Sequence, residues 1–444
     1  MRLALQYQFE QSQWWPPEDL KRHQFSQLRQ LLDYAYRRIS FYRKRLKSAG
    51  FNPGKKVTDD LWGRIPILTR RDIQDAGDGL THEPVPDDHG QTFVIRTSGS
   101  TGTPVKVVKT GLCDNFFNAA RLRHHLWHRR DFSGVYCAIR DAETVLGAGN
   151  ADKAKYPNGK NWDRWSGNMV FPTGKAALLH IHTPIADQVK WLRRKNPSVL
   201  LTFPSNLREI ARYCVREGIT FENLKSVDTV SEVVTPGIRA VVREAWGLTI
   251  TDMYTAAEIG YLALQCPEFE HYHIQSEIAY VEILDGEDQP CEPGQTGRVV
   301  VTPLHNVATP LIRYEVGDLA EVGAPCPCGR GLPVIKQVFG RVRNMLRLPG
   351  GNTVWPVLDR IFHTVESVER YQVIQKTLEN LEVRLVSRVP LTDGEEDGLR
   401  GLLQDRLRYP FGIEFTYHED LERTRSGKFE DFKSEVAAPP SRAA

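Results

Sequence analysis

The sequence has few cysteines, no excess of either charge and no long apolar run. Its 444 residues include 7 cysteines, too few for the dense disulfide framework of a small secreted domain. Lys and Arg number 58 against 55 Asp and Glu, and the net charge of +3 argues against a nucleic-acid-binding protein. No stretch approaches the ~18 apolar residues of a membrane span, and the N-terminal segment lacks an export signal. We therefore expect a cytoplasmic globular protein with reduced thiols that binds neither membranes nor nucleic acid.

A chain of this length predicts two or three domains, and its periodicities predict an α/β fold. Apolar residues recur at steps of three and four from Phe25 to Ile39, which indicates one buried helix face. Val199–Phe203 is a short apolar strand, and Ser205 is a candidate N-cap for the helix that follows it. Segments 280–284 and 298–302 read as paired strands joined by a turn rich in Pro and Gly.

The last hundred residues read as a separate small α+β unit. Apolar residues alternate from Leu381 to Leu385, recur at helical spacing from Leu399 to Leu407, and alternate again from Ile413 to Tyr417. Loops rich in Gly and Pro surround Gly340. The sequence therefore predicts a large N-terminal domain over 1–339, a small C-terminal domain over 340–436 and a flexible tail over 437–444.

A loop rich in Gly, Ser and Thr lies between two predicted strands, Val94–Ile95 and Val105–Val108. Its backbone N–H groups and hydroxyls suit phosphate binding, and Lys106 adds a positive charge. A plain tight hairpin is the alternative, because no Gly-Lys-Ser/Thr sequence closes the loop. The loop residues are Thr97, Ser98, Gly99, Ser100, Thr101, Gly102 and Thr103.

Four further motifs follow this loop in the order found in one enzyme superfamily. They are Tyr254–Gly260, Arg313–Asp318, Gly340–Leu346 and Arg423–Phe429. With them the chain resembles the adenylate-forming superfamily, above all the phenylacetate–coenzyme A ligase branch and its CapK-like relatives. The resemblance spans nearly the whole chain. It implies a large N-terminal adenylating domain of several subdomains, with mixed sheets and helices, and a small mobile α+β C-terminal domain.

The resemblance implies an acid–thiol ligase that works in two steps. A carboxylate attacks the α-phosphorus of ATP to form acyl-AMP and pyrophosphate, and the acyl group then passes to the thiol of coenzyme A. The catalytic residues implied are Lys428, which bridges the carboxylate and the α-phosphate, and Glu258, which holds Mg²⁺. Further cofactor contacts implied by the family are Tyr254 on adenine, Asp318 on the ribose hydroxyls, Arg341 on ribose or phosphate, and Ser231 and Glu232.

Two positions depart from the pattern of the superfamily. Ala257 stands where a Ser or Thr usually precedes the glutamate, which weakens a phosphate or metal contact or enlarges the acyl pocket. Asn344 stands where the hinge often carries Asp, so a salt bridge made by that Asp is lost. Because Glu258, Asp318 and Lys428 are all present, we still expect an active enzyme.

A group of cysteines and histidines suggests structural zinc. Cys326 and Cys328 lie in one tight turn, and Cys266 lies upstream near two histidines. Similar clusters in the phenylacetate ligase branch favour Cys266, His273, Cys326 and Cys328 as the ligands, with His271 as the alternative to His273. Reduced cysteines without a metal remain the other interpretation.

The acyl substrate and the acceptor stay open at the level of sequence. Aromatic candidates for the acyl pocket favour an aryl or short apolar acid. The pocket candidates are Trp165, Asn168, Phe203, Ser205, Ser231 and Ala257. An amine acceptor, which would give an amide, and a nucleotide-binding scaffold without turnover are the alternative functions. A homodimer is a further possibility.

Overall fold

A computed structural model describes residues 1–96, 104–141, 161–162, 172–362, 364–424 and 427–436. The chain divides into two compact units. The first contains Met1–Tyr136, Pro157–Ala177 and Thr251–Val338, and the second contains Cys137–Tyr156, Leu178–Ile250 and Phe339–Ala444. The chain enters the second unit for the last time after Val338, close to the predicted domain boundary at 339. The division into 1–339 and 340–436 stays a prediction.

Helices account for much of the N-terminal third and occur again between strands. The α-helices of the described residues are Arg2–Ser12, Pro17–Arg38, Ser40–Ser48, Asp59–Arg64, Arg70–Ala76, Gly111–Trp127, Ile185–Lys195, Pro204–Arg216, Pro236–Trp246, Asp359–Phe362 and Asp393–Leu407. Short 3₁₀ turns are Gly77–Leu80, Asp87–His89 and Val342–Asn344.

The strands are numbered in chain order. They are β1 Thr92–Arg96, β2 Lys106–Thr110, β3 Tyr136–Arg140, β4 Ala176–His180, β5 Val199–Thr202, β6 Ser226–Val230, β7 Ile250–Ala256, β8 Gly260–Gln265, β9 Tyr272–Ile274, β10 Ala279–Leu284, β11 Thr296–Pro303, β12 Tyr314–Val322, β13 Val334–Arg341, β14 Leu346–Arg347, β15 Thr353–Val354, β16 Val368–Gln375, β17 Asn380–Ser387, β18 Gly412–Tyr417 and β19 Phe432–Ser434.

The first unit is built on a sheet with the order β10–β11–β12–β13–β9–β8–β7, with helices packed against it. Leu28, Leu32 and Ala35 of the helix Pro17–Arg38 are fully buried in one core with Val299 and Val301 of β11. The apolar spacing from Phe25 onward therefore predicted this helix correctly. The predicted pairing of 280–284 with 298–302 is also confirmed, because β10 and β11 are antiparallel partners.

The second unit begins with an α/β layer in which the strands run in the order β6–β5–β3–β4. β5 and β6 are parallel and are connected through the helix Pro204–Arg216. This confirms the predicted strand–helix unit but corrects its N-cap. Phe203 is the N-cap, Pro204 is the first helical residue, and Ser205 lies inside the first turn. Proline is favoured at the first helical position, which moves the start of the helix to just before Ser205.

The C-terminal part of the second unit has its own sheet and core. Its strand order is β18–β17–β16–β19, and the helix Asp393–Leu407 packs on it through Leu399, Leu403 and Leu407. Thr392 and Glu395 form a capping box at the start of this helix. The alternating and helical spacings in the sequence therefore predicted β17, this helix and β18 correctly.

None of the helices in the described part of the chain combines the length and apolar composition that a membrane span requires.

Candidate active site

Tyr254 and Asp318, from two motifs distant in sequence, meet in the first unit. The hydroxyl of Tyr254 donates a hydrogen bond to Asp318 Oδ2 at 2.8 Å, and both side chains are buried. Opposite Val299 of β11, β12 carries three residues, including Gly317 with a φ of 82°. Glycine adopts this positive φ readily. The bulge bends the strand locally at the position of Asp318.

Glu258 lies in the turn between β7 and β8 and is only 6% exposed. The guanidinium of Arg70 lies 3.9 Å from its carboxylate. Lys109 of β2 donates a hydrogen bond from Nζ to the carbonyl of Ala257 at 3.0 Å. Burial lowers the pKa of Lys109 to about 8, against an opposing effect of Cys113 and Glu258. Glu258 is thus a buried carboxylate whose environment includes two basic side chains.

The two strands predicted on either side of the Gly/Ser/Thr loop are confirmed, and they pair with each other. β1 and β2 are antiparallel, and the last pair before the loop is Arg96 with Lys106. Lys106 is exposed and forms an ion pair with Asp78 at 2.8 Å. The predicted phosphate-binding residues 97–103 lie outside the described residues, as do Trp165 and Asn168 of the predicted acyl pocket.

Four predicted site residues, Ser231, Glu232, Arg341 and Lys428, belong to the second unit. Glu232 accepts two backbone hydrogen bonds at 2.8 Å, one from Ser205 N–H and one from Phe429 N–H. Partial burial raises the pKa of its carboxyl, while the two N–H groups oppose that change. Phe203 and Ser205, from the predicted acyl pocket, are buried in this unit, whereas Ala257 of the first unit is exposed.

The hinge motif lies at the end of β13. Gly340 has a φ of 80°, a conformation that favours glycine. Arg341 is the last residue of β13, and Asn344 closes the short 3₁₀ turn that follows. Arg343 forms an ion pair with Glu430 at 2.6 Å. The hinge therefore contains a salt bridge, made by the residue next to Asn344.

Arg313 has a structural role that the sequence analysis missed. Its guanidinium is 2% exposed, pairs with Glu282 at 3.1 Å, and donates to the carbonyls of Trp62, Gly63 and Ile65. It therefore joins the N-terminal helical segment to the strand that carries Asp318. The motif includes this arginine, but the residues that it contacts are too distant in sequence to be inferred from the motif.

Arg70 and Lys109 were also missed near Glu258. There was one indication in the sequence for Lys109, which is that it directly follows the apolar pair Val107–Val108 of a predicted strand. Arg70, the first residue of the helix Arg70–Ala76, carried no signal in the sequence. A charged residue buried in a strand becomes informative only when its neighbours are known.

The cysteines and histidines of the predicted zinc site are gathered in the first unit. One ligand atom each from Cys266, His271, His273 and Cys326 lies within 4.8 Å of the others. Cys326 Sγ lies 3.8 Å from Cys266 Sγ and 3.0 Å from His271 Nε2, and Cys328 Sγ lies 3.4 Å from His273 Nε2. All seven cysteines of the chain are free thiols.

This donor set fits zinc. Its chemistry is the reason, because thiols and imidazole are the ligands of structural zinc. His273 Nδ1 lies 3.4 Å from the carbonyl of Leu332, which leaves Nε2 to face the thiols. Both histidines belong to the group of four ligand atoms that lie within 4.8 Å of one another, and Cys328 does not. The choice of Cys328 and His273, with His271 as the alternative, stays a prediction.

Comparison with known proteins gives consistent matches along the chain. Residues 348–435 match the CapK C-terminal domain family. The chain is 27% identical over 388 residues to phenylacetate-coenzyme A ligase of Thermus thermophilus, covering 83% of this chain and 82% of that protein. It is 22% identical over 410 residues to protein CapK of Staphylococcus aureus, covering 90% and 85%.

The fold matches that of solved adenylate-forming enzymes. A crystal structure of 2-hydroxyisobutyryl-CoA ligase, in the postadenylation state with 2-HIB-AMP, superposes with a TM-score of 0.75 at 20% identity. The match covers 96% of this chain and 92% of that one. The resemblance in the sequence motifs is therefore confirmed: residues 348–435 match the CapK C-terminal domain family, and the chain is similar to phenylacetate–coenzyme A ligases and CapK over most of its length.

Proposed function

We propose that this protein is an ATP-dependent acid–coenzyme A ligase that works through an acyl-adenylate. The observation that carries the proposal is the hydrogen bond between Tyr254 and Asp318. A ring that stacks on adenine and a carboxylate that accepts ribose hydroxyls must be neighbours to bind one nucleoside. Phenylacetate-coenzyme A ligases among the relatives, aligned over most of both chains, support the same activity.

The proposed roles follow from charge and geometry. Asp318 accepts hydrogen bonds from the ribose, and Tyr254 orients that carboxylate while its ring faces the base. Glu258 would hold Mg²⁺ together with phosphate oxygens, a set that suits this ion. When bound, Mg²⁺ neutralises phosphate charge. Lys428 stabilises the charge that develops between the carboxylate and the α-phosphate.

We further propose that the acid is aryl or short and apolar and that the acceptor is the thiol of coenzyme A. Phenylacetate, the acid named for several relatives, supports the aryl class. An amine acceptor is the second candidate. A scaffold that binds nucleotide without turnover is the third, favoured only by Ala257 and Asn344.

Pyrophosphate exchange into ATP, measured with a panel of aryl and alkyl acids, tests the adenylation step. We expect acid-dependent exchange by the wild-type protein and a loss of at least a hundredfold in Lys428→Ala, because the charge on the transferring group loses its stabilising partner. Lys433→Ala is the matched control, since this lysine pairs with Glu435 in the same part of the chain. Exchange that no acid supports, or that survives in Lys428→Ala, would overturn the assignment.

Product analysis separates the three candidate functions. A thioester formed with coenzyme A supports the ligase, whereas an amide formed only when amines are supplied supports the second candidate. ATP binding without pyrophosphate release supports the scaffold.

We also propose a structural zinc ion held by Cys266, Cys326, Cys328 and His273, with His271 as the alternative to His273. A site closed by four protein ligands leaves no open position, so the metal would brace the fold and take no part in the reaction. It would connect the segment after Glu258 to the segment after Asp318, and thereby support both nucleotide contacts.

The remaining expectations are part of the same proposal. Residues 340–436 act as a lid domain that carries Lys428 and moves between the two half-reactions.

The proposal also includes a homodimer. Its formation is tested by light scattering coupled to size-exclusion chromatography, where a mass of one chain would contradict it.

A further inference from the structure

Glu232 joins two segments of the second unit that are far apart in sequence. Its Oε2 accepts the N–H of Ser205, in the first turn of the helix Pro204–Arg216, and its Oε1 accepts the N–H of Phe429. Phe429 directly follows Lys428. Ser231 has a φ of 73°, so the chain turns sharply just before Glu232. Both carboxylate oxygens are therefore engaged with backbone N–H groups, one at a helix N-terminus and one beside Lys428.

A buried ion pair lies next to this contact on the same helix. Arg208 is 1% exposed and binds Asp431 through two hydrogen bonds, of 2.6 Å and 2.9 Å. Its guanidinium also lies over the ring of Tyr371, at 5.6 Å. A bidentate pair fixes both distance and orientation, and removing one partner leaves a buried charge. The chain just after Phe429 is thus fixed to the helix at a second point.

A third contact fixes the chain before Lys428. Arg423 donates from Nη1 to Ser205 Oγ at 3.0 Å and to the carbonyl of Gly427 at 3.2 Å. Between these anchors the turn is closed on itself, because Lys428 N–H donates to Thr424 Oγ1 and Thr424 N–H donates to the Lys428 carbonyl. The turn that carries Lys428 is therefore held on both sides by the helix Pro204–Arg216 and Glu232.

From this arrangement we infer that Glu232 and the Arg208–Asp431 pair are positioning residues, which hold the turn carrying Lys428 in place for the adenylation step. The inference rests on the proposed function. It assigns Glu232 a role toward the protein backbone in place of the cofactor contact that the family resemblance implies. Because all three anchors are directional polar contacts, they are made in one position of the turn and lost when the turn moves away.

The inference predicts that the two half-reactions respond differently to Glu232→Gln and Asp431→Asn. Adenylation, followed by pyrophosphate exchange, should fall roughly tenfold to a hundredfold, as expected for losing a hydrogen bond to a charged group. The KM for ATP should stay within about twofold of the wild-type value. Thioester formation from chemically prepared acyl-adenylate and coenzyme A should also stay within about twofold, because Lys428 acts only in the first step.

Hydrogen exchange of the peptide that contains Phe429 gives a readout independent of turnover. In both variants this peptide should exchange faster than in the wild type, because the Phe429 N–H and the backbone beside Asp431 lose their anchors. Glu382→Gln is the matched control: this carboxylate pairs with Arg384 in β17 and with Lys376, and within the described residues its ion pairs lie away from the helix and the turn. It should leave both half-reactions and the exchange of this peptide unchanged.

Three outcomes would overturn the inference. An equal fall in both half-reactions would indicate general damage to the fold, and a raised KM for ATP alone would make Glu232 a nucleotide ligand. Unchanged exchange at Phe429 would show that the anchors do not hold the turn. If no acid is adenylated by the wild type, the proposed function fails, and the exchange measurement alone still decides whether these residues hold the turn.

Discussion

Replacing Lys109 by methionine should make the protein more stable at neutral pH. Lys109 is buried in β2, and burial lowers its pKa from 10.5 to about 8. That change corresponds to about 3 kcal/mol of unfavourable free energy carried by the charged lysine. Lys109→Met removes this charge and loses the hydrogen bond to the carbonyl of Ala257. Because Ala257 is exposed, water can replace that bond, and a net stabilisation of about 2 kcal/mol remains.

The effect should depend on pH in a defined window. The unfolded chain binds the proton of Lys109 more tightly than the folded protein, so the wild type gains stability as pH rises from about 8 to 10.5. Below pH 8 the penalty is fully present. The advantage of Lys109→Met is therefore largest at pH 7, shrinks as pH rises toward 10.5, and disappears above that pH, where the lysine becomes neutral in both states.

Thermal unfolding at pH 7 and pH 10 measures this difference. At pH 7 the variant should melt higher by roughly 4–8 °C, the shift that about 2 kcal/mol gives in a unit of this size. Lys106→Met is the matched control on the same strand, because Lys106 is exposed and its ion pair with Asp78 is screened by solvent. A variant that melts lower than the wild type at pH 7, or a difference that is equal at both pH values, would refute the reasoning.

Four further substitutions test other parts of the protein. Arg313→Met should lower the free energy of unfolding by about 3–5 kcal/mol, because Glu282 loses its buried partner; an unchanged calorimetric transition would contradict this. Cys326→Ser should reduce bound zinc, measured by mass spectrometry of the metal, from about one per chain to a trace, and a wild-type protein purified without zinc would count against the site. Asp318→Asn should raise the KM for ATP at least about tenfold, whereas Tyr254→Phe, which keeps the ring, should raise it less; the reverse order would contradict their assigned roles.

Elements with a strong local pattern could be predicted from the sequence. The helix Pro17–Arg38 follows from its apolar spacing, and the β10–β11 pairing follows from two apolar runs joined by a turn rich in Pro and Gly. Here each residue's environment depends mainly on near neighbours, so periodicity carries the information. The Ser205 cap was wrong because Pro204 lies at the first helical position and Phe203 takes the cap.

The connections within the site could not be predicted, because they depend on contacts between distant segments. Glu232 receives its second hydrogen bond from a residue 197 positions later, and Arg313 binds carbonyls about 250 positions earlier. Motif resemblance selected Tyr254 and Asp318, which the structure joins by a hydrogen bond. The cofactor contact that it implied for Glu232 stays a prediction, and the structure adds two backbone N–H groups that donate to this carboxylate. A motif identifies which residues a family uses and leaves open which atoms they contact.

Transfer of labelled oxygen from the acid to AMP tests the central claim most directly. If the carboxylate attacks the α-phosphorus of ATP, an acid labelled with ¹⁸O in its carboxyl group leaves one labelled oxygen in the AMP released when the acyl group is transferred. We predict singly labelled AMP by mass spectrometry, with no label in pyrophosphate. Unlabelled AMP, or label recovered in inorganic phosphate together with ADP, would contradict an acyl-adenylate mechanism.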